Sequence, residues 1–449
     1  MSRFHHHARR AWRHLASHDY LSPRQWRRRL AFWTGAVAVG LAAVLFAKSA
    51  DRAFGLFRSM VRHGGWVPFL LTPATFALLS GLTEGALRAT RGSGIPQAMA
   101  ALAVEDEGFR QRLLSLKVAV GKLVLTLVAL AGGASVGREG PTVHVGAGLL
   151  YSIGRRFGFD EPAAAGRFIL AGSAAGLAAA FNTPLAGVVF AIEEMAGAFE
   201  HRMSGTLLTA VILAGIVSLG WVGNYAYFGT VAAYLPLGRA WLAVLLTGVA
   251  GGAAGGLFAR LILPSAMGFR GYLRSLRSRQ PVVFAAACGL VLVLLSQSST
   301  DGLYGTGYDQ ARAILEGHAS TGPWFGGLKF LGNLVSSWAG IPGGIFSPAL
   351  AVGAGLGGDI AQWFPAADMP AVVLLGMAAY LAGVTQAPLT AVVISMELTA
   401  THQMAVPLMG ACLLARATSA LFCPSPVYKA LARELVLTHE ASKVRASNG

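Results

Sequence analysis

Apolar runs of roughly 20 residues, long enough to cross a bilayer, begin near Leu30, Trp66, Lys117, Phe168, Thr206, Trp241, Val282, Trp324, Val372 and Val406. Many are interrupted by Gly and Pro, as in "GSGIP" at residues 92–96 and "FNTPL" at residues 181–185. Helix breakers at membrane depth are tolerated where the freed backbone is buried in protein or lines a cavity. The pattern therefore predicts an all-α integral membrane protein containing re-entrant half-helices.

Composition agrees with that reading. Hydrophobic residues make up 54% of the chain and charged residues 12%, with a mean hydropathy of +0.56, which excludes a soluble domain of this length. The 57 glycines let helix backbones approach closely in lipid. The net charge of +16 sits in the first 30 positions, in short loops and in the tail, with no interleaved aromatic module. Basic residues so placed fit a membrane surface and not nucleic acid. Arg27, Arg28 and Arg29 precede the first apolar run without a small-residue cleavage site, so the segment reads as a cytoplasmic start. Cys288, Cys412 and Cys423 are scattered in or beside apolar runs and read as core residues, with neither a disulfide framework nor a metal site expected.

The chain also repeats itself, in order. "GSGIPQAMA" from Gly92 matches "GTGYDQARA" from Gly305 at an offset of 213, with Gln97 over Gln310. "GREGPTVHVGAGL" from Gly137 matches "GIFSPALAVGAGL" from Gly344 at an offset of 207. "GSAAGLAAAFNTPLAGVVFAIE" from Gly172 matches "GMAAYLAGVTQAPLTAVVISME" from Gly376 at 204, setting Pro184 over Pro388 and Glu193 over Glu397. Matches in constant order at slowly drifting offsets mark two homologous halves. The organisation expected is a basic cytoplasmic segment at 1–29, a first membrane repeat at 30–230, a second at 231–428 that includes the last spanning helix, and a short cytoplasmic tail at 429–449. Transporter repeats are often inverted about an axis in the membrane plane, with the site where broken helices from both halves meet. The cluster Arg270, Arg274, Arg277 and Arg279 counts mildly against inversion, since an odd number of crossings per half could put it outside, against the positive-inside rule; the sequence leaves its side open, and an external loop could steer anions toward the outer mouth.

Each recurring block places Gly and Pro at the start of an apolar helix, where free N–H groups and the helix dipole attract anions. Ser93 adds a hydroxyl beside such amides, and "GGIFSP" offers the amides of Ile345 and Phe346 with a ring to exclude water. Donors of this kind can replace the hydration shell of an anion without a metal or a cationic side chain. Glu139 falls in the matching block of the first half, where a carboxylate can occupy an anion nest as a surrogate and leave it when protonated, coupling anion to proton. Glu193 and Glu194 form a second acidic pair at the edge of a span, a plausible relay.

These residues resemble the CLC family of chloride channels and chloride/proton antiporters over most of the chain, from about Arg29 to Leu435. Three filter motifs carry the resemblance: Gly92, Ser93, Gly94, Ile95 and Pro96; Gly137, Arg138, Glu139, Gly140 and Pro141; and Gly343, Gly344, Ile345, Phe346, Ser347 and Pro348. The resemblance implies that Ser93, the amides of Ile345 and Phe346, and the Tyr428 hydroxyl of "SPVYKAL" coordinate chloride. It implies that Glu139 is the external gating glutamate and Glu194 the internal proton glutamate, with Glu193 beside it at the water-accessible entrance. An acid at position 194 accompanies antiporters in that family, and serine at 93 accompanies chloride selectivity. The short end after Tyr428 is similar to prokaryotic members, which implies a multi-pass protein of the bacterial inner membrane with both termini cytoplasmic. A homodimer with one pathway per subunit is also implied. The chain departs from the pattern at Gln97, where many relatives have glutamate, and Met99 follows with no nearby acid.

Plainer roles exist for each residue. Arg138 and Glu139 would ordinarily form a local ion pair, Ser93 a helix N-cap, Phe346 helix packing, Tyr428 an interfacial aromatic, and Glu194 the partner of a nearby arginine. The repeat and the Gly-Pro context favour the functional roles, while His144 reads as a packed or hydrogen-bonded residue. "GASVG" at 133–137 and "GAGLGG" at 353–358 imitate a nucleophile elbow and a dinucleotide fingerprint, but follow no strand and read as small-residue packing. The reading is therefore a chloride/proton antiporter, not an enzyme, with no cofactor beyond the transported ions. The alternatives are a passive chloride channel on the same scaffold and, further off, an intramembrane enzyme or receptor.

Overall fold

The computed structural model describes residues 22–85, 87–196, 204–223, 226–263, 272–299, 302–317, 322, 324–364 and 367–447. Most of the basic segment 1–29, together with Arg270, lies outside them, as does the side chain of Arg274. About 80% of the described residues are helical.

The first half opens with α1 (Pro23–His63) and α2 (Val67–Glu84). The short helices α3 (Ile95–Ala103) and α4 (Glu107–Leu114) follow, then α5 (Leu116–Ala131), α6 (Glu139–Arg156) and α7 (Pro162–Phe181). The half closes with α8 (Pro184–Phe190), which runs into a π turn at Ala191–Ala196, and α9 (Ser204–Val222). The second half runs through α10 (Leu242–Ile262), α11 (Tyr272–Arg279), α12 (Pro281–Gln297), α13 (Tyr308–Leu315) and α14 (Phe325–Trp338). Then come α15 (Phe346–Ala361), α16 (Met369–Thr385), α17 (Pro388–Thr399), α18 (Ala405–Phe422) and α19 (Val427–Ser447). Among the described residues, 7 helical segments are long and apolar enough to cross a membrane. The helices that begin at the recurring Gly-Pro blocks start inside the protein: Ile95, Pro96, Glu139, Pro141, Phe346 and Pro348 are all buried. Broken backbone is thus kept away from lipid, as the cost of unsatisfied amides requires.

The repeat is visible in contacts as well as in sequence. Gly137 and Gly344, which occupy matching positions, exchange both backbone hydrogen bonds at 2.7 Å in an antiparallel bridge. Glu193 accepts from the Leu389 and Thr390 amides at the start of α17. Glu397, its counterpart, accepts from the Leu185 and Ala186 amides at the start of α8. A contact in which each residue meets its own counterpart is the signature of a two-fold relation, so a local two-fold relates the halves at the centre. Small residues set the packing on both sides: Gly146 of α6 lies against Gly172 of α7, and Gly353 of α15 against Gly376 of α16, too close for a methyl at either.

The sequence left open the side on which the loop arginines lie. Arg277 of α11 lies within electrostatic reach of Glu84 and Arg91, and Ser80 near the end of α2 donates to the Pro281 carbonyl at the start of α12. The loop therefore shares a face with the start of α1, where Arg24 pairs with Glu161 and Arg27 donates to the Phe157 carbonyl. Burial draws the Arg277 guanidinium down to about 10. The same face holds the end of α19, where Lys443 hydrogen-bonds Asp106 at 2.6 Å and pulls that carboxyl down to about 2.

Candidate anion and proton site

Three helix starts converge at the centre. Gly94, at φ +102°, caps α3 and packs so closely on His144 that a side chain there is excluded. The Ser93 hydroxyl rests on Gly140, where a methyl would collide with it, and Gly140 in turn touches Gly344. The starts of α3, α6 and α15 are thus in contact, and the first amides of each helix have no intrahelical partner.

The hydroxyls aimed into this junction lack partners. Ser93 Oγ and Tyr428 OH are both buried without a hydrogen bond, and the two residues are neighbours. Two stranded donors of this kind are costly unless a ligand accepts from them. Phe346, which is 1% exposed, stacks parallel to Tyr428 at 6.2 Å and meets Phe190 edge-on at 6.2 Å. The rings wall the junction with apolar surface.

Glu139 is wholly buried. Ser347, in the first turn of α15, donates to its Oε1, while Oε2 has no hydrogen-bond partner. A carboxylate of the first half therefore sits at the start of a second-half helix, where the dipole favours negative charge. Arg138 pairs with Asp51 of α1 at 2.6 Å and donates to the Ala47 carbonyl at 3.0 Å.

Glu194 lies in the π turn at 2% exposure, with Oε1 lacking a hydrogen bond and with Lys429 and Glu193 as charged neighbours. Glu193 is committed to the α17 cap, with a further bond from the Thr390 hydroxyl at 2.7 Å. His144 is buried and its Nε2 pairs with the Leu113 carbonyl at 2.8 Å. The three cysteines are buried and unbridged. Gln97 donates its amide to the Arg91 carbonyl at 2.6 Å and to the Ala89 carbonyl at 3.4 Å. Glutamate cannot make those bonds when ionised.

Two lysines escaped the sequence reading. Lys122, fully buried on α5, donates to the carbonyls of Thr90 and Gly92 just before Ser93. Lys329 on α14, fully buried at the matching position, donates to the Leu303 and Gly305 carbonyls at 2.8 and 2.9 Å and to Ser135 Oγ at 2.9 Å. The signal was available: each is a cation inside an apolar run, 207 positions apart, the offset of the adjoining repeat block. Tyr227, buried beside Ser347 and Glu139, was also missed.

A buried junction of helix starts, with two unbonded hydroxyls and a docked carboxylate, lies at the centre of a multi-pass membrane protein. The chain belongs to the voltage gated chloride channel family, whose sequence model matches residues 75–420. It is 32% identical over 445 residues to the H(+)/Cl(-) exchange transporter ClcA of Cronobacter sakazakii, covering 94% of this chain and 92% of that protein. It is also 32% identical over 386 residues to a putative chloride channel protein, ClcB-like, of Ralstonia nicotianae, covering 82% of this chain and 86% of that one. The fold matches the crystal structure of a slow cyanobacterial Cl-/H+ antiporter with a TM-score of 0.79 at 24% identity, over 93% of this chain and 99% of that one.

Proposed function

We propose that this protein exchanges chloride for protons across the membrane. The observation that carries the reading is the Glu139 carboxylate, docked by Ser347 at the start of α15 within the junction that Ser93 and Tyr428 line. A carboxylate in that position is a surrogate anion. Protonation removes the charge that holds it there, so it withdraws and chloride takes the place beside Ser93, Tyr428 and the amides of Ile345 and Phe346. One proton taken up on the carboxylate is thereby linked to one site opened for the anion.

Glu194 is the inner proton station. It is a buried carboxylate on the Tyr428 side of the junction, with one oxygen unbonded, and Lys429 supplies the nearby positive charge. Glu193 is a structural cap that fixes the π turn carrying Glu194. The face bearing Arg24, Arg27 and Arg277 is cytoplasmic by the positive-inside rule, a reading that the Asp106–Lys443 contact at the end of α19 supports for the C-terminal end as well. The halves are inverted repeats, in keeping with the local two-fold at Gly137 and Gly344. The assembly is a homodimer in the cell membrane with a pathway in each subunit. Passive chloride conduction is the competing reading, favoured by the likeness to the channel-named relative.

The deciding experiment uses purified protein in sealed liposomes with a chloride gradient and no pH gradient. Uphill proton movement that a protonophore collapses establishes exchange. Rapid chloride release without uphill proton movement means a channel and removes Glu194 from the mechanism.

A further inference from the structure

The two halves are joined by a connection that the repeat supplies only once. After α9 the chain crosses to α10 through residues 226–241, and the second half pins this stretch in place. The Phe228 amide donates to the Leu398 carbonyl at 2.8 Å and the Val231 amide to the Thr399 carbonyl at 3.0 Å, both at the end of α17. The Tyr308 hydroxyl, at the start of α13, donates to the Tyr227 carbonyl at 2.8 Å. So held, the Tyr227 ring meets Phe181 edge-on at 5.4 Å and Tyr308 edge-on at 4.8 Å, and Phe181 leads on to Phe346 at 6.3 Å. Tyr227 is 4% exposed and stands beside Ser347 and Glu139.

Tyr227 also lines a cavity of about 280 Å3, together with Asp51, Arg58 and Arg138. Asp51 and Arg58 come from the later part of α1, so the cavity faces the side opposite the basic N-terminal segment. A single water takes up about 30 Å3 of liquid, so the cavity has room for the water that delivers protons. Protonation of Glu139 from this side leaves a neutral carboxyl with one O–H to donate and one oxygen to satisfy. The rings of Phe181, Phe190 and Phe346 satisfy neither, and a buried carboxyl without partners is costly. The Tyr227 phenol, which donates and accepts, stands where those rings give way to the cavity.

We propose that Tyr227 is the positioning residue for the withdrawn Glu139 side chain, its phenol hydrogen-bonding the protonated carboxyl at the inner wall of the cavity. This role rests on the exchange reading above and adds the group that holds the proton carrier between uptake and return. A cation in that place would hold the ionised carboxylate and keep it from redocking on Ser347. A neutral phenol holds the acid and releases it on deprotonation. The carboxyl has no counterpart in the second half, and the connection that serves it has none either. Among the described residues, the other charged or titratable groups around Glu139 and the cavity are Arg138 paired with Asp51, Arg58 paired with Asp309, and the phenols of Tyr308 and Tyr428. Tyr227→Phe alters none of them.

The test reads chloride release from liposomes against pH, set equal on both sides, for the wild type and for Tyr227→Phe, which keeps the ring contacts. Wild-type release is expected to quicken as pH falls. In Tyr227→Phe the midpoint is expected about half to one unit lower, a roughly three- to tenfold higher proton concentration, because one hydrogen bond to the protonated form is lost. An unmoved midpoint overturns the role, and so does a higher one, the result expected if the phenol held the docked carboxylate. In Glu139→Ala, which has no carboxyl to hold, adding Tyr227→Phe is expected to leave the pH profile where it was. A shift there means that the phenol acts on something else and also overturns the role. A crystal structure of Glu139→Gln is expected to place the new amide against the Tyr227 phenol, and an amide lying away from it counts against the role independently of transport. A wild type whose release ignores pH removes the withdrawal of Glu139 and the exchange reading with it, whereas a pH-dependent wild type with an unmoved Tyr227→Phe removes the tyrosine alone.

Discussion

The starts of α6 and α15 are one backbone built twice and furnished differently. Gly137 and Gly344 join them in a symmetric bridge, and Pro141 and Pro348 follow at matching places. Between these, the first half carries Arg138, Glu139 and Gly140, and the second carries Ile345, Phe346 and Ser347. The polar set supplies the movable carboxylate, and the apolar set supplies amides under an aromatic ring. A two-fold scaffold thus holds an asymmetric site, because the repeat fixes where amides point while side chains decide what those amides meet. Ser347 shows this best: it holds the Glu139 carboxylate, whereas its counterpart Gly140 has no room for a side chain because Ser93 lies there.

The comparison breaks most visibly at its acids. Glu139→Gln is expected to leave chloride movement running and to abolish uphill proton transport, measured with a pH electrode outside chloride-loaded liposomes. Phe346→Leu, at the matching position, is expected to keep proton coupling. Equal loss in both would mean that the two starts share one role. Glu194→Gln is next, with chloride movement retained and proton coupling lost. Proton pumping at the wild-type rate in that variant would sink the inner relay.

Gly140→Ala tests the crowding. The methyl would overlap the Ser93 hydroxyl and lie near Gly344, so a destabilisation of about 1–3 kcal/mol is expected, together with weakened chloride binding by calorimetry. Ser347→Ala adds no volume, keeps the fold, and frees the Glu139 carboxylate. The lysine pair comes after that. Lys329→Met strands three acceptors and Lys122→Met two, so thermal unfolding should show Lys329 costing more, by about 1 kcal/mol. The smallest effect is at the reciprocal caps, where Glu193→Gln and Glu397→Gln should each cost about 1 kcal/mol. Proton transport lost in Glu193→Gln with stability intact would show that this residue does more than cap α17.

Much of the site was legible because it is made of helix breaks, and Gly and Pro announce those locally. The blocks at Gly92, Gly137 and Gly344 were found at the junction, with Ser93, Glu139 and Phe346 gathered around it. Partners distant in sequence were not legible. Nothing near Arg138 points to Asp51, 87 positions earlier, and nothing in "EEM" separates Glu193, spent on a cap, from Glu194, buried with an unbonded oxygen. The side of Arg277 stayed open in the sequence because counting apolar runs cannot tell a half-helix from a crossing. Lys122 and Lys329 were readable, since a cation repeated inside apolar runs is costly enough to have a purpose.

By itself, the sequence determined that the chain lives in a membrane, that it is built from two copies of one design, and where its helices break. Those properties follow from hydropathy, periodic matching and residues whose backbone limits are local. Only the tertiary structure decided which broken ends meet, that Glu139 docks on Ser347 of the other half, and that each cap is made by the opposite repeat. Such pairings depend on how two copies pack against each other, and that geometry is a property of the whole chain.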